Sequence, residues 1–302
     1  LIAAAYLAAE GFEAPLAEEL RRAGVAVAAW HGRLALSPDP PVRAAWALDA
    51  WTAPVEVAAP SIRQAAQALR AVQRNWGGYN VEHHRRAALI TAALPPVKAA
   101  AMRFPEPAPS AHLGAWTLLD AERLLASSAK TSPWINGECR FEEDRIGPPS
   151  RAYLKLQEAL TRLGSHPVAG ETCVDLGASP GGWTWTLAGL GAQVTAVDKA
   201  PLDPRVAGLP NVEVRLDSAF GMPPEPTDWL FSDVVAYPAR LLGLVRRWID
   251  ADAADRIVCT VKFQGETDHD AADAFAAIPG GRLMHLFHNR HELTFLWERA
   301  SR

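Results

Sequence analysis

The chain has 302 residues, 49% of them hydrophobic and 21% charged, with a formal net charge of −4. No run of about 18 apolar residues free of charge occurs, so no transmembrane helix is predicted. The small net charge argues against strong unspecific binding to nucleic acid and leaves a local basic patch open. The opening LIAAAYLAAEGFE lacks a basic leader and meets Glu10 and Glu13, so it does not read as a secretory signal. Cys139, Cys173 and Cys259 form no CxxC pair and no even framework, which favours a reducing cytoplasm. Of 30 basic residues only Lys98, Lys130, Lys155, Lys199 and Lys262 are lysine. The bias fits genome composition, but arginine cannot replace lysine where an amine must shift its pKa.

The length is a soft prior for two domains. The first half reads as a strand over Ile2–Ala8, a helix over Phe12–Ala23 with Leu16 and Leu20 on its apolar face, and two short strands around Gly32. Helical patterns follow near Pro41–Ala53 and Ser61–Asn75, the second with Ser61 as N-cap, and then strands or loops to about Phe141. RIGPPS (145–150) is the expected boundary, because adjacent prolines end regular structure. Domains are therefore expected over 1–149 and 150–302, the first net neutral and the second carrying the whole −4.

The second half alternates. A helix capped by Ser150 and stopped by Gly164 precedes the strand ETCVDLG, a helix over Gly182–Leu190, and strands ending on Asp198, Asp217 and Asp233. A helix over Ala239–Ile249, a strand over Arg256–Lys262, a helix over Ala271–Ile278 and two antiparallel strands, Arg282–His288 and His291–Glu298, close the chain. Such alternation predicts a doubly wound, mainly parallel α/β sheet whose ligands bind beyond the carboxyl ends of the strands. Asp175, Asp198, Asp217, Asp233 and Lys262 all fall near such ends.

DLGASPGGW (175–183) joins strand to helix. Trp183 stands where a Walker A loop needs lysine, and Ala178 and Ser179 after Gly177 break GxGxxG, so an NTPase or nicotinamide dehydrogenase is disfavoured. The turn resembles motif I of Rossmann-like S-adenosylmethionine (SAM) methyltransferases. That resemblance makes Asp175, Gly177, Ser179, Pro180, Gly181, Gly182 and Trp183 cofactor contacts. Asp198, 23 residues after Asp175, suits a ribose diol, and Asp217 the adenine end.

SRAYLKLQEA (150–159), VDLGASPGGWT (174–184), FSDV (231–234), TVKF (260–263) and HELTF (291–295) together resemble the FtsJ-like RNA 2′-O-ribose methyltransferases. Within them the PPSRAYLKL context, GFEAPLAEEL and SPWINGECRF are most similar to the RlmM-type 23S ribosomal RNA cytidine 2′-O-methyltransferases. The resemblance implies a Rossmann-like catalytic domain and an N-terminal α+β THUMP-like RNA-binding region, shortened or degenerate here. It also implies a catalytic tetrad of Lys155, Asp233, Lys262 and Glu292 and a 23S ribosomal RNA substrate. Lys262 is expected as base or hydroxyl-orienting group, Lys155 as a neighbouring charge, and the two acids as anchors for the amines. Other RNAs such as transfer RNA, a SAM-binding RNA protein without turnover, and a small-molecule O-methyltransferase remain alternatives.

RNA contacts are expected from Arg63, Arg70, Arg74, Arg85 and Arg86, which lie among Trp76, Tyr79, His83 and His84 with one acid, Glu82. A solvated helix face is the competing reading. His285, His288 and His291 recur every third residue but lack the shell zinc needs, so no metal is assigned.

Overall fold

The computed structural model describes residues 1–300. The chain forms two compact units, Leu1–Ala101 with Ala108–Arg140, and Met102–Pro107 with the chain from Phe141 onward. The division falls nine residues before the expected boundary. Phe141 is buried and stacks edge-on against Phe104, Met102 bridges to Phe141, and Arg103 Nε donates to Glu142 at 2.7 Å. These contacts, and not the prolines that follow, decide where the chain divides.

The first unit comprises β1 (Ala4–Ala8), α1 (Glu13–Arg22), β2 (Ala29–His31), β3 (Leu34–Ser37), β4 (Ala47–Trp51), β5 (Pro54–Ala58), α2 (Ile62–Val72), β6 (Trp76–Gly78), α3 (His84–Ala92), β7 (Gly114–Leu118) and β8 (Arg123–Ser127). They make two four-stranded sheets, β2-β3-β1-β4 and β5-β8-β7-β6. As expected, α1 buries Leu16 and Leu20, and Ser61 caps α2 by accepting from Gln64 N. Two expectations fail. Residues 47–51 are strand: the Ala- and Leu-rich run would suit a helix, but it pairs antiparallel with β1, so pairing and burial of Trp51 override propensity. The loop or strand reading also missed α3, whose N-cap His83 has a left-handed backbone and no side-chain cap, leaving no start signal in the sequence.

An ion pair is buried in this unit. Lys130 Nζ lies 2.6 Å from Asp49 Oδ2, with side-chain exposures of 1% and 0%. Lys130 also donates to the carbonyls of Ser132 and Trp134, while Asp49 Oδ1 accepts from Ser132 N at 3.0 Å. The pair therefore folds residues 130–134 back onto β4.

In the second unit, α4 (Tyr153–Leu163), β9 (Thr172–Leu176), α5 (Gly182–Gly189), β10 (Gln193–Asp198), α6 (Pro204–Ala207), β11 (Val212–Leu216), β12 (Thr227–Ser232), α7 (Pro238–Asp250), β13 (Ala254–Lys262), α8 (His269–Ala276), β14 (Gly281–Met284) and β15 (Glu292–Glu298) follow in order. The sheet order is β11-β10-β9-β12-β13-β15-β14. β11 through β13 are parallel, and β15 is antiparallel to both its neighbours. This is a Rossmann-like doubly wound fold with a mixed sheet. Strand order reverses between β9 and β12, and at such a switch point the two strand-end loops part to leave a crevice.

Packing from α4 and α5 seals one face of the sheet. Leu156, Leu160, Trp183 and Leu187 join Cys173, Trp229, Phe231, Val258 and Leu296 in one core, which makes Cys173 a core thiol. α4 is unusual in being buried from Tyr153 through Thr161, including Lys155 and Glu158. A charge buried on such a helix needs a partner. Gly164 ends α4 in the left-handed conformation, as expected, but the helix starts at Tyr153 without a side-chain cap, so Ser150 is not its N-cap. The closing hairpin is shorter than expected, and residues 285–291 form its turn.

Lys130→Met should destabilise the first unit by about 3–5 kcal/mol, because it strands Asp49 as an uncompensated buried charge. Urea unfolding followed by tryptophan fluorescence measures this. A change below about 1 kcal/mol would mean that the pair is dispensable.

Candidate active site

A cleft of about 330 Å³ opens at the switch point, lined by Ser150, Asp175, Gly177, Ser179, Pro180, Gly182, Trp183, Asp198, Asp233, Val234, Val235 and Lys262 among others. Its floor is the turn after β9. Gly177 has φ +82°, and an added Cβ would lie 2.7 Å from Val234 Cβ, so only glycine lets the loops after β9 and β12 meet. Ser232 Oγ donates to Leu176 O at 2.9 Å and ties the same strand ends together. Gly182 starts α5 against Ser150, where a Cβ would meet Oγ at 2.6 Å. Trp183 Nε1 donates to Ala152 O at 3.0 Å, joining the starts of α4 and α5.

The four tetrad positions converge beside this cleft. Lys155 Nζ lies 3.1 Å from Asp233 Oδ1 and 2.7 Å from Glu292 Oε1. Lys262 Nζ lies 3.0 Å from the same Asp233 Oδ1 and also donates to the Asp233 carbonyl. Lys262 and Glu292 are direct cross-strand partners on β13 and β15. Burial alone would lower the Lys155 pKa, but the charges of Asp233 and Glu292 outweigh it and hold the amine above its usual value. Lys155 therefore stays an ammonium at neutral pH. Of the two lysines, Lys262 is the one lining the cleft.

Asp175 sits at the end of β9 and is 1% exposed. Its Oδ2 accepts from Thr184 Oγ1 at 2.7 Å, while Oδ1 is buried with no hydrogen-bond partner among the described residues. Burial, with Asp233 and Asp198 adding to it and Thr184 opposing, pushes its pKa up to about 7. Asp198, at the end of β10, accepts from Ser179 N and Ala200 N, both at 3.0 Å, and keeps lone pairs for a ligand.

Residues 148–275 match the family described as FtsJ-like methyltransferase. Proteins named "Ribosomal RNA large subunit methyltransferase M" are similar over longer stretches. That of Halorhodospira halophila is 38% identical over 192 residues, covering 60% of this chain and 56% of that protein. That of Alkalilimnicola ehrlichii is 36% identical over 213 residues, covering 64% and 58%. That of Aromatoleum aromaticum is 38% identical over 162 residues, covering 48% and 44%. The chain spans about half the length of the curated relatives it matches.

The FtsJ-like match lies within the second unit. Its cleft fits SAM. Asp175, Asp198 and Asp233 present acceptor oxygens beside one lining amine, Lys262, and that lining suits a ligand bearing a sulfonium and an α-ammonium against one carboxylate. The orphaned Asp175 Oδ1 needs a donor, and the ligand ammonium is one. Ser150, whose Oγ is also buried without a hydrogen-bond partner among the described residues, lines the same cleft.

Other expected site residues fall differently. Gly181 is the left-handed residue that opens α5. Asp217 is exposed and accepts from Ser218 N; the neighbouring Ser218, Ala219 and Phe220 line the adjoining cavity with Lys199 and Arg240, so the chain after β11 turns Asp217 outward. Arg63, Arg70, Arg74 and Arg85 are exposed on and after α2 and on α3. Arg86 is half-buried and donates to Ala59 O, which makes it a structural tie between α3 and the end of β5. His285 is buried, its ring bonds Arg290 O, and burial pulls its pKa down to about 4. Ser150 and Thr184 were missed as site residues; Thr184, nine residues after Asp175, lies in the first turn of α5, where its hydroxyl reaches back to the strand end.

The sign of the Asp175 shift gives a pH test. Its folded pKa lies above the unfolded value of 3.8, so the folded chain holds the extra proton and this group's stabilising contribution falls as pH rises from about 4 to 7. A bound cation favours the carboxylate, so affinity for S-adenosylhomocysteine should rise by up to about tenfold per pH unit below 7 and level off above. Calorimetric titration from pH 5.5 to 8 measures it. Asp175→Asn should flatten the profile, and a flat profile in the unaltered protein would count against the ligand ammonium meeting Asp175.

Proposed function

We propose that this protein is a SAM-dependent methyltransferase of ribose 2′-hydroxyls in RNA, acting on a cytidine of 23S ribosomal RNA in the cytoplasm. The observation that carries the reading is the Lys155–Asp233–Lys262–Glu292 cluster, in which both lysines share one Asp233 oxygen and Glu292 pairs with Lys155, set beside a cleft suited to SAM. The relatives' printed names supply the large-subunit RNA. No helix among the described residues is long and apolar enough to cross a membrane.

SAM, when bound, supplies a methyl group already activated on a sulfonium. The chain's task is to hold the acceptor hydroxyl in line and dispose of its proton. Lys262 Nζ, the cleft-facing amine, orients the 2′-hydroxyl and in its neutral form takes that proton. Lys155 remains an ammonium and, with Asp233, fixes where Lys262 sits. Glu292 holds Lys155 from the far side and anchors the acceptor ribose. An aligned base contributes about 10²–10⁴-fold.

The first unit is read as the RNA-holding part, a shortened THUMP-like region. Support comes from the exposed Arg63, Arg70, Arg74 and Arg85, which present cations without a compensating run of acids. Charge reversal at Arg63 and Arg70 should weaken RNA binding and lower its salt slope by roughly 0.7 for each phosphate no longer neutralised. An unchanged slope would remove α2 from the RNA-binding surface.

Lys262→Ala should bind S-adenosylhomocysteine near normally and lose methyl transfer by at least about 100-fold. Equal loss of binding and turnover would make Lys262 structural. Mass-spectrometric mapping of ribose methylation in cells with and without the gene identifies the target. A 23S cytidine should lose its 2′-O-methyl group; loss from a transfer RNA, or from no RNA, would overturn the substrate assignment.

A further inference from the structure

Glu158 lies one turn after Lys155 on α4 and is 0% exposed. Its carboxylate reaches across to the turn between β14 and β15. Oε1 accepts from Phe287 N and Oε2 from His288 N, each at 3.0 Å, and Arg162 Nε pairs with Oε1 at 2.8 Å. The next residue, Asn289, continues the connection: its Nδ2 donates to Glu292 O at 3.2 Å and to Thr294 Oγ1 at 3.1 Å. One helix thus holds Glu292 twice, directly through Lys155 and indirectly through Glu158 and the turn. A carboxylate on an all-buried helix is costly unless its oxygens are filled, and here backbone N–H groups of a turn fill them. An uncharged residue at 158 would pack there without fixing the turn.

We propose that Glu158 is a positioning residue that clamps residues 287–289 and thereby sets the place of the Glu292 carboxylate against Lys155. The catalytic part of this inference rests on the function proposed above; the clamp itself does not. Glu158 touches neither cleft nor substrate, so its effect must pass through Glu292. Arg162 neutralises the clamp and keeps a second buried negative charge from competing with Asp233 for Lys155.

Two measurements test it. Hydrogen exchange of the intact protein reads the clamp without reference to activity. Glu158→Gln should speed exchange at 286–292 by roughly tenfold or more and leave β13 unchanged; unchanged exchange at 286–292 overturns the proposal. A double-mutant cycle in kcat reads the coupling. Glu158→Gln alone should lower kcat by roughly 10- to 100-fold with KM for SAM unchanged, and should add nothing in a Glu292→Gln background. The same further loss in both backgrounds, or equal changes in kcat and KM, overturns it. Should Glu158→Gln not fold, Asn289→Ala breaks the far end of the same connection and should show the same non-additivity with Glu292→Gln. If the unaltered protein methylates no RNA, the functional reading fails while the exchange measurement still decides the clamp.

Discussion

One oxygen organises the second unit. Asp233 Oδ1 takes two ammonium groups, from Lys155 on α4 and from Lys262 on β13, at 3.1 and 3.0 Å. No short-range pattern makes that meeting. It needs the sheet to reverse order between β9 and β12, so that the loop bearing Asp233 opens beside the glycine turn instead of packing under a crossover. It needs α4 to lie against the sheet face where Val258 and Leu296 also pack. Two lysines against Asp233 and Glu292 leave the cluster near neutral, the condition under which a half-buried group of charges is tolerable.

The same condition explains the character of α4. Most helices on such a sheet show water one polar side, and α7, with Leu241, Leu244, Val245 and Trp248 buried and Arg246 and Arg247 outward, does so. On α4 the burial is continuous, and Lys155 and Glu158 are inside. Each is satisfied by a different kind of partner, Lys155 by carboxylates and Glu158 by main-chain amides and an arginine. A wholly apolar helix would pack as well, so the polar residues make the helix specific about what lies next to it.

Much of this was legible in the residues. Strands ending on Asp175, Asp198 and Asp233, the glycines at 177 and 182, and the antiparallel last strand follow from alternation and turn chemistry, because those signals are local. Motif resemblance marked the tetrad positions, but the meeting of Glu292 with Lys155 depends on β15 inserting beside β13, which no local pattern encodes. Ser150 looked like a cap because serine before an apolar run usually is; its hydroxyl instead meets the glycine opening α5. Residues 47–51 looked helical because Ala and Leu suit helices, and only pairing with β1 reveals a strand. Arg86 looked like its neighbours in sequence, yet one turn of helix turns it inward to Ala59.

The place of β15 has a consequence for assembly. β15 lies between β13 and β14 although it follows both in the chain, and β14 pairs with nothing else in this sheet. A chain folded only through β14 therefore leaves the backbone edge of β13 unpaired, a template for unwanted strand addition. The strand that covers this edge also begins with Glu292. Protection against self-association and completion of the charge cluster thus arrive in one folding event, and an incompletely folded chain has neither.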